Sequence, residues 1–242
     1  MKPGANFMKK HGRFSMVLAC VVVGAWVVSS MQAAEAGKAV VRSIRGKAQY
    51  LESGGQWLEL KVGQVLKAGS TVRTASDSHA DLFMDENGPV VRLVENTTLG
   101  LDKLNYTTTG VDTIIETQLD LKSGRIIGIV RKMADQSKYE IKTPNGVAGI
   151  RGTEYDITAT SVLRLVSGSM VMVYVKSDGT VITQVVNSNE MFVPSDGTVK
   201  LIPADQLSQL MAEIKEMEGA PVVALTVEEP IKIFISPLAG VR

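Results

Sequence analysis

The sequence is poor in the side chains that carry most enzymatic and metal chemistry. Its 242 residues include one Cys and two His. A zinc site needs more His or Cys than that, and nucleophilic catalysis with a His base would have to use His79, the one His beyond the N-terminal segment. No Gly-x-Ser-x-Gly elbow stands ready to partner it. Aromatics make up 5% of the chain, with Trp57 and five Tyr beyond residue 36, which is thin material for the stacking platforms of a sugar site. Paired carboxylates for glycoside hydrolysis remain an alternative, because acids are plentiful. No catalytic residue, metal or cofactor is assigned.

The N-terminus is patterned for export. Lys2, Lys9, Lys10 and Arg13 precede an apolar stretch from Phe14 to Met31. Ala34 and Ala36 then give small-x-small spacing, with Gly37 first after the cut. The reading is a signal peptide over 1–36 and a periplasmic or extracellular location. An uncleaved anchor is the alternative, since 18 apolar residues nearly span a bilayer. Lipidation at Cys20 would leave only about five apolar residues before it, short for a signal core.

Removing residues 1–36 takes away four basic residues and one acidic residue, leaving 22 against 24 and a net charge near −2. That argues against a nucleic-acid partner, which needs a clustered positive field. The lone Cys leaves with the leader, so the remainder has neither disulfide nor thiol chemistry.

What is present is β-forming. Val, Ile, Leu and Thr supply most of the bulk. Short alternating runs are punctuated by turn signals at Ser53-Gly54-Gly55, Asp85-Glu86-Asn87-Gly88, Asp178-Gly179 and Asp196-Gly197. In "HADLFMD" the alternation sets Ala80, Leu82 and Met84 on one face and His79, Asp81, Phe83 and Asp85 on the other. Asp77, Asp81, Asp85, Glu86 and Asn87 lack the alternating ligands and central Gly of a calcium loop, and read as a solvated strand face running into a turn. Residues 120–130 and 164–174 both set Ser-Gly before an apolar run, a weak repeat within one β architecture.

One segment has helical period. Leu207, Leu210, Met211, Ile214 and Met217 recur through 204–218, between Pro203 and Gly219. Such a stripe packs on a sheet edge or faces a partner. The last stretch carries one or two strand patterns broken by Pro230 and Pro237. The fold class is therefore all-β: a sandwich or roll of short antiparallel strands with one C-terminal amphipathic helix.

The densest stretch is "TPNGVAGIRGTEYDI", residues 143–157. Its glycines, Gly146, Gly149 and Gly152, have the wrong spacing for a dinucleotide loop, and no Lys-Ser/Thr follows for a P-loop. After Thr143, Pro144-Asn145-Gly146 reads as a tight turn, Gly149 as structural, and Gly152 as a bulge or positive-φ position. Arg151, Thr153 and Glu154 enter the next strand, with Arg151 and Glu154 open as a buried pair or an interaction point.

The same stretch closely resembles the signature of FecR-domain proteins: Thr-Pro-x-Gly, then a Gly-Thr strand with aromatic and acidic residues. Upstream, residues 63–101 are similar to that family in their Val-x-Thr, Ser-x-Ala-x-Leu and Asn-Thr-x-Leu strands, and "LRLVSGSMVMVY" and "SNEMFV" resemble its closing strands. The resemblance covers about residues 40–200. It implies a FecR-like β domain over 38–202, followed by a helix and tail over 203–242. The family's namesakes relay a ferric-citrate signal from an outer-membrane transporter to a sigma factor, through a cytoplasmic segment, a membrane helix and a periplasmic domain. Here only about 13 residues precede the apolar stretch, too few for a folded cytoplasmic domain. Export, β architecture and the lack of a reactive constellation point to an exported, non-enzymatic binding or scaffold module, with a periplasmic signalling component or an envelope hydrolase as the alternatives. An envelope protein or glycan is the partner, and the membrane takes part only if the leader stays uncleaved.

Overall fold

The computed structural model describes residues 34–87, 90–110 and 112–219. The chain opens with β1 (Glu35–Ala36), β2 (Lys38–Arg45), β3 (Ala48–Leu51), β4 (Leu58–Glu59), β5 (Val65–Lys67) and β6 (Thr71–Thr74). Then come β7 (His79–Phe83), a 3-10 turn (Asp85–Asn87), β8 (Val90–Leu93), β9 (Thr98–Thr109), β10 (Asp112–Ser123) and β11 (Arg125–Ile129). The TPNG region supplies β12 (Lys138–Thr143), β13 (Gly146–Ile150) and β14 (Glu154–Thr158). The last strands are β15 (Leu163–Ser167), β16 (Ser169–Val175), β17 (Val181–Asn187), β18 (Glu190–Val193) and β19 (Thr198–Leu201), followed by helix α1 (Ala204–Gly219).

These strands form two sheets. Sheet A runs β17-β16-β13-β12-β10-β9-β6-β3-β4, with β1 also paired to β9; sheet B runs β19-β18-β15-β14-β11-β8-β7-β2-β5. The two inner faces close on one core that includes Leu66, Leu82, Leu99, Leu119, Tyr155 and Phe192. Hairpins form at the expected turns: β3–β4, β7–β8, β16–β17 and β18–β19 are all antiparallel. Two features depart from a sandwich of short antiparallel strands. β9 and β10 are twelve residues each. β10 and β12 pair in parallel, because β11 carries the chain into sheet B between them and returns it in the same direction.

The repeated Ser-Gly pairs are corners between the sheets. Gly124 takes the chain from β10 in sheet A to β11 in sheet B, and Gly168 takes it from β15 in sheet B to β16 in sheet A. Both have positive φ, 82° and 83°. A Cβ at 124 would lie 2.5 Å from Thr97 Cα, and one at 168 would lie 2.3 Å from the Gly152 carbonyl oxygen. Only glycine turns these corners without strain.

Helix α1 starts after Pro203, whose carbonyl accepts the Leu207 N–H at 2.9 Å. It lies on the outer face of sheet B. Leu210, Ile214 and Met217 are buried there against Val90 and Ile127, with Phe83, Val94, Ile129 and Val166 at the rim. The stripe read from the sequence is real, but it meets the face of the chain's own sheet rather than an edge or a partner.

Candidate functional site

The outer face of sheet B carries a row of polar side chains beneath α1. Successive cross-strand partners are Ser43, Asp81, Arg92, Ile127, Asp156 and Arg164, from β2, β7, β8, β11, β14 and β15. Register alone puts them on one face, since cross-strand partners point the same way. Asp81 is 0% exposed and Arg92 5%. Arg92 Nε donates to Asp81 Oδ1 at 2.6 Å and Nη2 to Oδ2 at 2.9 Å, a bidentate fork. Ser43 Oγ donates to the same carboxylate at 2.8 Å. Asp156, 1% exposed, accepts from Arg125 Nε at 2.7 Å and Arg164 Nη1 at 2.5 Å.

The helix closes both pairs. Glu213 Oε2 accepts from Arg125 Nη2 at 2.8 Å, and Glu216 Oε2 lies 3.4 Å from Arg92 Nη1. Beside them is an open depression of about 380 Å³ lined by Arg45, His79, Arg92, Arg125, Glu213 and Glu216. Burial lowers the His79 pKa, and Arg92 lowers it further. Asp81 and Asp156 are sealed from solvent and hydrogen-bonded to guanidinium groups. They are not placed to take a proton from a substrate. Desolvating such charges is costly unless the partners are well aligned, and here they are.

The sequence alternation puts the His79–Asp85 strand face in solvent, but Asp81 is fully buried because α1 covers that face of the sheet. Asp85 instead pairs with Lys38 at 3.6 Å, and the Asp77 N–H donates to Glu95. Among the described residues no group of three or more His, Cys, Asp or Glu side chains is arranged to hold a metal. Sequence reasoning missed Arg92, Arg125, Asp156, Arg164, Glu213 and Glu216. For Arg92, Asp156 and Arg164 the signal was present: each is a charge flanked by apolar residues, as in "VVRLV", "YDI" and "LRL", whereas Arg125 follows a Ser-Gly corner and carries no such mark.

The TPNG stretch does not converge on one site. Thr143 ends β12, Pro144 and Asn145 make the turn, and Gly146 begins β13. Arg151, Gly152, Thr153 and Glu154 lie at the other end of that strand, about 17 Å away at strand rise. Thr143 Oγ1 meets Ser161 Oγ at 2.7 Å, tying the hairpin tip to the β14–β15 turn. A Cβ at Gly146 would come 2.5 Å from the Val173 carbonyl oxygen, and Gly152 has φ 73°. Gly149 has no such constraint, its nearest neighbour being 3.9 Å off. Arg151 is no buried partner of Glu154. It is 60% exposed and bonds the Asp135 carboxylate and carbonyl at 3.0 and 3.1 Å. Thr153 is buried, and Glu154 is half-buried at the start of β14. On the helix, Leu210, Ile214 and Met217 are covered, Leu207 is half-buried and Met211 is 52% exposed. A continuous partner-facing stripe is therefore not presented.

The fold and its ladder define a two-sheet, mainly antiparallel β domain whose buried outer charges are locked in ion pairs under a helix. Residues 70–171, from the approach to β6 into β16, match the family model described as FecR protein. The matched span is narrower than the residues 40–200 that resemble the family. No curated protein matches the chain. Among solved structures, a candidate anti-sigma factor from Parabacteroides distasonis is similar at 13% identity and a TM-score of 0.42, over 58% of this chain and 64% of that one, under two thirds of its length.

Proposed function

We propose that the chain is an exported, non-enzymatic interaction module of the cell envelope, built on a FecR domain. The FecR match over residues 70–171 carries this reading. The chemistry of the ladder supports it, because its buried carboxylates are bound by arginines within the fold rather than turned to a substrate. On this reading residues 1–36 direct export. They fall almost wholly outside the described residues; only Ala34, Glu35 and Ala36 are described, and Glu35–Ala36 pairs with β9. No helix among the described residues is long and apolar enough to cross a membrane. The FecR match also favours a second reading, a regulatory component that acts on transcription through a membrane partner.

One paired experiment separates the two. The tagged chain is cross-linked in its own host and its envelope partners are identified, while transcripts are profiled in a deletion strain. A reproducible partner with unchanged transcripts supports the module. A partner together with altered envelope-stress or iron-uptake transcripts supports the regulator. Neither partner nor transcript change would remove both.

A further inference from the structure

Among the described residues, α1 covers only part of the outer face of sheet B. The helix starts beyond β19 and crosses toward the opposite edge: Glu213 meets Arg125 of β11, and Glu216 meets Arg92 of β8. Its last buried residue, Met217, packs in the cluster that holds Val90 of β8 and has Phe83 of β7 at its rim. Two strands, β2 and β5, lie between that point and the edge. The apolar row under the end of the helix continues across them. Ile129 pairs with Val90, Phe83 follows in register, Phe83 pairs with Val40, and Val40 pairs with Val65. Phe83 and Val40 are half-buried, and Val65, on the edge strand, is 38% exposed. Two residues along on the same face, Lys38 and Lys67 are direct cross-strand partners. Like charges so opposed cost stability unless an anion lies against them. Lys38 has Asp85 at 3.6 Å, while Lys67 is exposed and has no carboxylate partner among the described residues.

We propose that residues 222–229 of the same chain lie over this row, as a strap that carries the cover of sheet B from the end of α1 to the β5 edge. The chain leaves the helix at Gly219, where the uncovered row begins, and Pro221 then discourages further helix. "VVALTV" follows over 222–227, then Glu228 and Glu229. In an extended segment Val223, Leu225 and Val227 share one face and span about 13 Å. Phe83, Val40 and Val65 span two strand spacings, about 10 Å. The four residues from Gly219 to Val223 reach roughly 13 Å, enough to set Val223 beside Phe83. The two carboxylates then fall at the edge strand, where Lys67 and Lys38 stand, and residues 220–242 hold no other acid. A segment tethered a few residues away acts at an effective concentration in the mM range, so it occupies the row ahead of a second copy or a free partner. The strap goes beyond the interaction role proposed above and does not depend on it.

The test compares the chain as its host processes it with a full-length variant, Leu225→Asp/Val227→Asp, and with a chain ending at Gly219. Lysine acetylation and amide hydrogen exchange are read by mass spectrometry. In both altered chains Lys67 is expected to be acetylated about threefold faster, the change that loss of an exposed ion pair gives. Amide exchange should rise in 38–41 and 65–67, where the apolar cover is lost. Lys47, beyond the far end of β2, is the control and should keep its rate. If the shortened chain does not fold, the full-length variant carries the comparison alone. Lys67 equally reactive in every chain would overturn the proposal. So would a rise at Lys47 as large as that at Lys67, which would mean that the whole domain has loosened. Protection of Lys67 that grows between two protein concentrations roughly tenfold apart would place the segment on another copy, and that too would overturn it.

Discussion

At the scale of single residues, the buried Asp81–Arg92 pair is where one atom exchange matters most. Asp81→Asn keeps the volume but leaves Arg92, 5% exposed, with only Glu216 at 3.4 Å to balance it. An uncompensated buried charge of this kind costs about 3 kcal/mol, read as a lower urea midpoint at unchanged m. Replacing both partners, Asp81→Leu with Arg92→Met, should recover most of that loss, because no charge is then stranded. His79 beside the pair gives the fold a pH dependence. Burial first, then Arg92, then Arg45 hold its pKa below 6.5, while Asp81 and Glu216 pull it upward. The unfolded chain therefore binds this proton at a higher pH than the folded one, and in between the unfolded state holds more protons. The contribution of His79 is intact above about 6.5 and is lost as pH falls toward the folded value. Melting temperature should drop between about pH 7.5 and 5.5, and it should drop less in His79→Gln. Asp196, held at about 2 chiefly by Lys200, titrates well below that window. An equal drop in both proteins would remove His79 as the cause.

At the scale of elements, helix α1 is attached by a small cluster of its own. Leu210, Ile214 and Met217 with Val90 and Ile127 form a group separate from the main core. Ile214→Ala, at a site 4% exposed, should cost about 3 kcal/mol of helix docking. Faster hydrogen exchange in 204–219, with β9 and β10 unchanged, would show that the loss stays local. Exchange rising equally everywhere would instead show the helix and the sheets opening as one unit. The helix itself was legible at 204–218, because a 3.6-residue period between Pro203 and Gly219 is a local signal. The hairpins were legible for the same reason, through Asp178-Gly179 and Asp196-Gly197. The ladder was not. Alternation in "HADLF" tells which residues share a face, but not that a helix 120 residues later covers the outer one. Asp81 therefore read as solvated. The Ser-Gly corners were seen as a repeat, yet period-2 patterning cannot say that each one moves the chain to the opposite sheet.

At the scale of the whole molecule, the two sheets share one core. Val72, Leu99 and Leu119 from sheet A pack in the same cluster as Leu82, Ile126 and Phe192 from sheet B. The chain passes between the sheets at glycine corners, and β10 and β12 pair only after the excursion through β11. Neither sheet can bury its inner face once the other has opened. The two sheets should therefore unfold in one step, although the chain exceeds the size at which single transitions are usual. Trp57 tests this from one end of sheet A, where Arg73 lies 4.0 Å from its ring centroid. In a Trp26→Phe background, Trp57 fluorescence and the β signal in far-UV circular dichroism should share one urea midpoint. Refolding should be slow, in milliseconds to seconds, because most strand pairings join distant parts of the chain. Two separated midpoints would mean that the sheets hold independently, and that the shared core contributes less than its burial implies.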